Sequence, residues 1–132
     1  MRYIHTDAAP TPAGHYSQGV VHAGVVYVSG QLPIDPANPE AELGSVEDQT
    51  RQTLANVAGV LNASGSSLSQ VLQLLIYVSD GGDWGAVNRV VAEMFGDHKP
   101  SRAIVPVAPL KRGFALEITA IAAVSQLADD AD

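Results

Sequence analysis

The sequence of 132 residues contains no cysteine, and this absence narrows the possible chemistry. Without cysteine there is no disulfide framework, no thiolate nucleophile and no zinc site with thiolate ligands. The serines lack the G-x-S-x-G pattern of a serine hydrolase, and no glycine-rich phosphate loop is present. The four histidines are His5, His15, His22 and His98. No two of them are spaced i, i+4, and none has a carboxylate at a matching metal-ligand spacing, so a metal site is not expected.

Basic residues are also scarce. Seven lysines and arginines stand against 14 acidic residues, which gives a formal net charge of −7 and a pI of about 4.8. A phosphate backbone would be repelled, so nucleic-acid binding is disfavoured. No stretch approaches the roughly 20 apolar residues of a membrane span, and the N-terminus lacks the charged-then-apolar plan of a signal peptide. We therefore expect a cytoplasmic protein that binds neither nucleic acid nor membrane.

The composition is that of one globular domain. Apolar residues make up 46% of the chain and charged residues 16%, and the length leaves little room for a second core. We predict a single domain over residues 1–132, with its core in residues 8–124 and a frayed acidic tail at 125–132. The low charge content also favours an oligomer in which part of the surface is hidden.

Apolar residues at helical spacing predict two helices. The first runs from Val46 to about Ala63, with Ser45 as its cap and Gly65 as its end. The second begins after Asp83, which can cap it, and ends at Gly96.

Shorter apolar runs predict the strands. The first two strands form a hairpin that turns at Ala23-Gly24, and Val71–Val78 is a continuous apolar run typical of a central strand buried on both faces. Residues 1–6 can add a short edge strand. The order β-β-α-β-α-β-β predicts an α+β sandwich with both helices on one sheet face. The other face would then need a cover, most simply other copies of the chain.

The last two strands, residues 100–107 and 114–121, are expected to pair as a second hairpin. Each carries one charge in apolar company, Arg102 in the first and Glu117 in the second. Strand alternation, with the apolar faces sharing one core, predicts that this arginine and this glutamate lie on the same sheet face.

These polar residues have alternative interpretations. Arg102 can present its planar fork to a substrate carboxylate, or it can pair with Glu117. Glu117 can act on a water as general base, or it can be a partly buried partner of the arginine. Tyr16 and Ser29 stand at strand ends beside glycines, where hydroxyls reach a ligand, and Asn88 lies near the start of the second helix. Each of these three is also compatible with a structural or solvated role.

Several stretches together resemble the Rid family, also called YjgF or reactive intermediate deaminase proteins. The resemblance covers roughly residues 8–124 and rests on the order and spacing of GHYSQG (14–19), VSGQLP (28–33), DQTRQTLANV (48–57), VN (87–88), PSRA (100–103) and LEI (116–118). It implies a homotrimer with a chorismate-mutase-like, ferredoxin-like fold and ligand clefts between subunits. It also implies hydrolysis of enamine and imine intermediates, such as 2-aminoacrylate, to a 2-keto acid and ammonia without a cofactor.

The resemblance also implies roles for individual residues. Arg102 matches the residue that binds the substrate carboxylate, and Glu117 matches the residue that holds the attacking water. Tyr16, Ser29 and Asn88 match residues that line the cleft, and Gly30 matches one whose backbone approaches the ligand. Ile104 is also placed among the substrate-binding positions.

The sequence departs from the family pattern at four places. Ile104 stands where many members have cysteine, Thr119 replaces a frequent glutamate, and His15 replaces a frequent proline. Pro109-Leu110-Lys111 rearranges a turn that often reads Leu-Pro-Lys. None of these changes removes a proposed catalytic group, but they bear on the subfamily and the substrate range.

Three functions are compatible with these residues. The first is an imine and enamine deaminase that removes reactive amino-acid intermediates. The second is a non-catalytic, chaperone-like or small-carboxylate-binding trimer, which needs Arg102 but not Glu117. The third is a related deaminase in a degradation pathway that acts on a bulkier carboxylate.

Overall fold

Six strands and two α-helices alternate along residues 1–125, which the computed structural model describes. In chain order they are β1 (Arg2–Ile4), β2 (Gly19–His22), β3 (Val25–Gln31), α1 (Val46–Ala63), β4 (Val71–Val78), α2 (Trp84–Phe95), β5 (Ser101–Pro106) and β6 (Leu116–Ala123). The strands build one mixed sheet in the order β1-β2-β3-β6-β4-β5, and both helices pack on one face of it. The predicted α+β fold is confirmed. The predicted fraying of the acidic tail falls on residues 126–132, which lie outside the described part of the chain.

The helices begin and end where the sequence predicts, but the predicted cap at Asp83 is wrong, because its side chain makes no capping hydrogen bond to α2. The Ser45 hydroxyl accepts a hydrogen bond from the backbone N–H of Asp48 at 3.1 Å and so caps α1. After each helix a glycine takes a positive φ, 84° at Gly65 and 60° at Gly96. Within residues 1–125, no helix combines the length and the apolar character needed to span a bilayer. The buried stripe of α2 consists of Val87, Val90, Val91 and Phe95.

Two exposed ion pairs join α1 to α2. Arg51 donates to Glu93 at 3.0 Å, and Arg89 donates to Glu47 at 3.0 Å. The hydrogen bond from Arg51 lowers the pKa of the Glu93 carboxyl below its usual value. Because both pairs face solvent, they contribute little to stability, and the apolar core beneath the helices holds the layers together.

The predicted pairing of the last two strands is wrong. β4 lies between β5 and β6, antiparallel to β6 and parallel to β5. The reason is topological: α2 carries the chain from β4 to β5 as a crossover, and a crossover produces parallel neighbours. Residues 107–115 then bring the chain past β4 to its other side. A strand, a short glycine-containing turn and a second strand look the same in sequence whether or not the strands are adjacent.

The position of β4 also sets the direction of the two charged side chains. Arg102 is the register partner of Leu74, which is fully buried beneath the helices. Glu117 is the register partner of Tyr77, which belongs to the alternate, open face. Since register partners project to the same side of a sheet, Arg102 lies on the helix face and Glu117 on the open face. The prediction that they share a face is therefore wrong.

The open face of the sheet is apolar and only partly buried. Tyr27 is half-exposed, and Ile121 and Leu75 beside it are partly buried. Leu72 on β4 is 50% exposed, so the prediction that this strand is buried on both faces is wrong for a single chain. A continuous apolar run is consistent with one face in the core and the other face against a partner molecule.

One glycine in α1 allows the N-terminal segment to lie against the helix. A Cβ on Gly59 would stand 2.5 Å from the Ala8 carbonyl oxygen and 3.0 Å from its carbon. Backbone atoms cannot rotate away, so the contact requires glycine. This contact holds the segment that leads to Tyr16 against the core.

We expect Gly59→Ala to destabilise the protein although alanine is the better helix former. The clash with Ala8 should lower the free energy of unfolding by about 1–3 kcal/mol. Gly85→Ala in α2 is the matched control, because nothing lies within 4 Å of the added methyl group, and it should raise that free energy by a few tenths to about 1 kcal/mol. Urea unfolding of both variants measures the difference. Equal stabilisation by the two alanines would show that the Ala8 contact is not a constraint.

Candidate functional site

The predicted site residues fall into two groups on opposite faces of the sheet. Glu117 lies in a cavity of about 570 Å³, which we call the glutamate cavity, and Tyr16, Ser29, Gly30 and Lys111 line it too. Arg102 lies in a second cavity of about 390 Å³, the arginine cavity, whose other lining residues include Asn88, Val91, Phe95 and His98. A single chain therefore keeps the two charged groups apart.

A β-bulge shapes the glutamate cavity. In the β3–β6 pair, Val28 faces Ala120 and Gln31 faces Ile118, so one extra β3 residue is accommodated at Ser29-Gly30. A Cβ on Gly30 would stand 2.5 Å from the Glu117 Oε2 atom. The glycine therefore makes room for the carboxylate at this point of the sheet.

Two hydroxyl groups line the same cavity with different hydrogen-bonding capacities. Ser29 donates its hydroxyl proton to the Ser17 carbonyl at 2.5 Å, so its Oγ can only accept from a ligand. The Tyr16 hydroxyl oxygen accepts from the Ala13 N–H at 3.4 Å and keeps its own proton to donate. The Tyr16 side chain is half-exposed, so this donor is open to a ligand.

The Glu117 carboxylate has no partner within residues 1–125. It is only partly buried, and no described side chain or backbone group donates a hydrogen bond to it or forms an ion pair with it. The interpretation of Glu117 as the ion-pair partner of Arg102 does not hold within one chain. An unpartnered carboxylate in a cavity can accept a hydrogen bond from water and take a proton from it.

Arg102 is held by neutral groups on α2. Its Nη1 donates to Asn88 Oδ1 at 2.6 Å, and its guanidinium carbon lies 5.5 Å from the centre of the Trp84 ring. None of the ion pairs in the described part of the chain includes Arg102. Its positive charge is therefore available to an anionic ligand.

The remaining predicted residue, Ile104, follows Arg102 by two positions on β5. Its side chain is on the helix face and packs against the edge of the core. It is not among the residues that line either cavity. Its role in ligand binding stays a prediction.

The sequence interpretation missed the residue that anchors the Tyr16 segment. Gln18 is 1% exposed, and its Nε2 donates to the carbonyls of Thr6 at 2.9 Å and Pro10 at 3.0 Å. Its Oε1 accepts from the Thr6 N–H at 2.7 Å. One side chain thus ties residues 6–10 to the start of β2 and fixes the entry to the glutamate cavity. A glutamine next to a predicted strand carries no signal of such burial.

Metal binding finds no support among residues 1–125, where no group of three or more histidine, aspartate or glutamate side chains is placed to hold an ion. His98, which lines the arginine cavity, makes a 2.7 Å hydrogen-bonding contact with the Val71 carbonyl oxygen through its Nε2. Its ring therefore has a structural contact at the base of the arginine cavity.

Comparison with known proteins places the chain among relatives of similar length. Residues 6–124 match the family described as endoribonuclease L-PSP. A RutC family protein of Pyrococcus horikoshii is 42% identical over 90% of this chain and 94% of its own. A 2-iminobutanoate/2-iminopropanoate deaminase of Capra hircus is 38% identical over 92% of this chain and 88% of its own. The crystal structure of E. coli TdcF with bound serine superposes with a TM-score of 0.89 at 35% identity and covers 95% of this chain and 100% of that one.

We expect Gln18→Met to loosen the Tyr16 segment. The substitution keeps the volume but removes the partner of a partly buried N–H and of partly buried carbonyls, which should cost about 1–3 kcal/mol of unfolding free energy. The Thr6 amide should also exchange its hydrogen faster. Denaturant unfolding and hydrogen exchange measure the two effects.

Gln70→Met is the matched control for this substitution. Gln70 donates to the Ala123 carbonyl at 3.2 Å, but that carbonyl also accepts from the Ser66 hydroxyl, so it stays satisfied. The control should change stability by well under 1 kcal/mol. If both variants were equally stable, Gln18 would not be the anchor of the segment.

Proposed function

Since this chain belongs to the endoribonuclease L-PSP family, the Rid or YjgF family that its motifs resemble, we propose that it hydrolyses 2-imino acids to 2-keto acids and ammonia. The observation that carries the proposal is the pair of uncompensated charges: Arg102 has only neutral partners, and Glu117 has none in residues 1–125. The Arg102 guanidinium can bind a substrate carboxylate, and the Glu117 carboxylate can accept a hydrogen bond from a water. The name of the Capra hircus relative supports the same reaction class.

The proposal requires more than one copy of the chain. Arg102 and Glu117 lie on opposite faces of the sheet, on strands separated by β4, and their register partners on β4 are three residues apart. Two strand spacings across the sheet and about 10 Å along it put their backbones about 14 Å apart. A small imino acid cannot reach both in one chain. We propose a homotrimer in which Arg102 of one copy and Glu117 of the next line a shared cleft. The apolar open face supports association, and the family resemblance supplies the number three.

In that cleft the protein has only to orient the substrate and to transfer protons. Arg102 grips the carboxylate with two parallel hydrogen bonds and thereby orients the C=N bond. Glu117 takes a proton from a water, whose oxygen adds to the imine carbon to give a carbinolamine. Glu117 returns that proton to the nitrogen, so that the carbinolamine carries a hydroxyl and an amino group. Glu117 then takes the hydroxyl proton and passes it to the amino nitrogen, the C–N bond breaks as the C=O bond forms, and ammonia and the keto acid leave. An enamine such as 2-aminoacrylate enters after a proton adds to its methylene carbon and forms the imine.

The other residues of the glutamate cavity have compatible roles. The Tyr16 hydroxyl can donate to the hydroxyl oxygen that forms on the carbinolamine carbon, and the Ser29 Oγ can accept from the imine N–H. Neither step uses a cofactor or a metal. Absence of a cofactor and a cytoplasmic location stay predictions.

The arginine cavity favours a second candidate, a related deaminase that acts on larger imino acids. Its volume of about 390 Å³ exceeds what a three-carbon acid fills, and Val91 and Phe95 give it an apolar wall. A substrate with an apolar side chain would bury that side chain there. We do not propose the ribonuclease activity that the family name suggests, because a net charge of −7 opposes RNA binding.

A coupled assay tests the proposed activity. An amino-acid oxidase generates 2-imino acids of increasing side-chain length, and keto-acid formation is followed with and without the protein. We expect acceleration over the spontaneous reaction, and the side-chain series distinguishes the two deaminase candidates. Pyruvate binding without acceleration of any imine would favour the non-catalytic carboxylate-binding protein.

We expect Glu117→Gln to separate binding from turnover. The amide keeps the shape of the side chain but cannot take a proton, so kcat should fall about 100-fold or more. Affinity for pyruvate should change little, because a keto acid needs no base. Calorimetry beside the coupled assay measures both quantities. Normal turnover by the variant would place the water elsewhere.

The bulge at Gly30 generates a separate prediction. Gly30→Ala would push the Glu117 carboxylate from its place, and a misplacement of about 1 Å can cost about 100-fold in rate. Gly81→Ala is the control, since its added Cβ meets only Pro106 Cγ at an ordinary 3.5 Å. A Gly30→Ala variant with wild-type kcat would show that the glycine is not required for the position of Glu117.

A further inference from the structure

Trp84 and Asn88 stand one helical turn apart on α2, and both contact Arg102. We propose that these two are positioning residues, which hold the guanidinium for a ligand carboxylate without neutralising its charge. The inference rests on the proposed function of Arg102 and adds Trp84, which no motif of the sequence singled out. It also changes the role of Asn88 from a residue that lines the cleft to one that acts through Arg102.

The hydrogen bond to Asn88 leaves most of the guanidinium available. Asn88 Oδ1 takes one N–H of Nη1, and the other donors of Arg102 have no partner within residues 1–125. The Nε and Nη2 edge can therefore still offer two parallel hydrogen bonds to a carboxylate. An aspartate at this position would orient Arg102 equally well, but it would pair with the charge that the ligand needs.

Trp84 supplies the second constraint. Its ring faces the guanidinium at 5.5 Å, a distance at which the ring attracts a cation and restricts the plane of the fork. Trp84 is 48% exposed in one chain, whereas the core stripe of α2 is buried, so packing within the chain does not account for a tryptophan here. Trp84, Asn88, Val91 and Phe95 follow one another at helical spacing, and the last three line the arginine cavity.

Trp84 is the only tryptophan of the chain, so its fluorescence reports on Arg102 directly. Titration of wild type with pyruvate should give a saturable change in fluorescence whose midpoint agrees with calorimetry. Arg102→Lys keeps the charge but loses the two-point grip, and it should shift both midpoints to higher concentration. A wild-type titration that is silent in fluorescence but saturable in calorimetry would place the carboxylate away from Trp84 and overturn the inference.

Substitutions at Trp84 separate positioning from structure. Trp84→Leu should weaken pyruvate binding about two- to fivefold and raise KM by the same factor with kcat within about twofold of wild type. Trp84→Phe keeps a π face and should recover most of the affinity. The control is Arg89→Gln, which breaks a contact of α2 with Glu47 on α1 and should leave pyruvate binding unchanged. Equal binding by wild type and Trp84→Leu would overturn the role of the ring.

Substitutions at Asn88 test the requirement for a neutral acceptor. Asn88→Ala loses a short hydrogen bond to a charged group and should weaken pyruvate binding about tenfold. Asn88→Asp has the same shape but pairs with Arg102, so it should weaken binding at least as much while its thermal unfolding temperature stays at or above that of wild type. Wild-type affinity in Asn88→Asp would overturn the inference, because a purely steric role tolerates that change.

These binding measurements do not depend on turnover. If pyruvate binding depends on Arg102, Trp84 and Asn88 but no imine is hydrolysed, the proposed deaminase fails and the positioning roles stand. If Arg102→Lys loses binding while the Trp84 and Asn88 variants keep it, the positioning roles fail and the deaminase stands. A wild-type protein that binds no keto acid contradicts both.

Discussion

The place of β4 between β5 and β6 is the constraint on which the rest of the candidate site depends. It turns Arg102 toward the helices and Glu117 toward the open face, so that within one chain the guanidinium and the carboxylate cannot meet. The same arrangement leaves an apolar sheet face with half-exposed Tyr27. The proposed trimer accounts for both features, because in it a second copy covers the open face and brings its own half of the site to the first.

Neither charged side chain of the proposed site is paired with an opposite charge within residues 1–125. Glu117 has no donor within the described residues, and Arg102 is held by an amide and an aromatic ring instead of a carboxylate. The bulge at Gly30 interrupts the regular pairing between β3 and β6 and leaves room for the Glu117 side chain. Departures from local structural rules are expected where a surface is shaped for a ligand, and other parts of the fold compensate for them.

What could be predicted from the sequence was local. The cap at Ser45, the helix end at Gly65 and the turn at Ala23-Gly24, where both residues have positive φ, depend on neighbours within a few positions. The pairing of the last two strands depends on β4, and a local pattern cannot reveal that β4 lies between them. The predicted sheet face of Arg102 was therefore wrong. The burial of Gln18 depends on a segment that folds back over it, which leaves no periodic signal.

Subunit mixing distinguishes a cleft built from two copies of the chain from a cleft that lies within one chain. Arg102→Ala and Glu117→Gln are prepared separately, unfolded together at equal concentration, refolded, and assayed for keto-acid formation from an imine. If the cleft joins Arg102 of one copy to Glu117 of the next, random mixing restores roughly a quarter of the wild-type clefts and a corresponding share of the activity. Activity no higher than that of either variant refolded alone would contradict the account, because it would mean that both groups must come from the same chain.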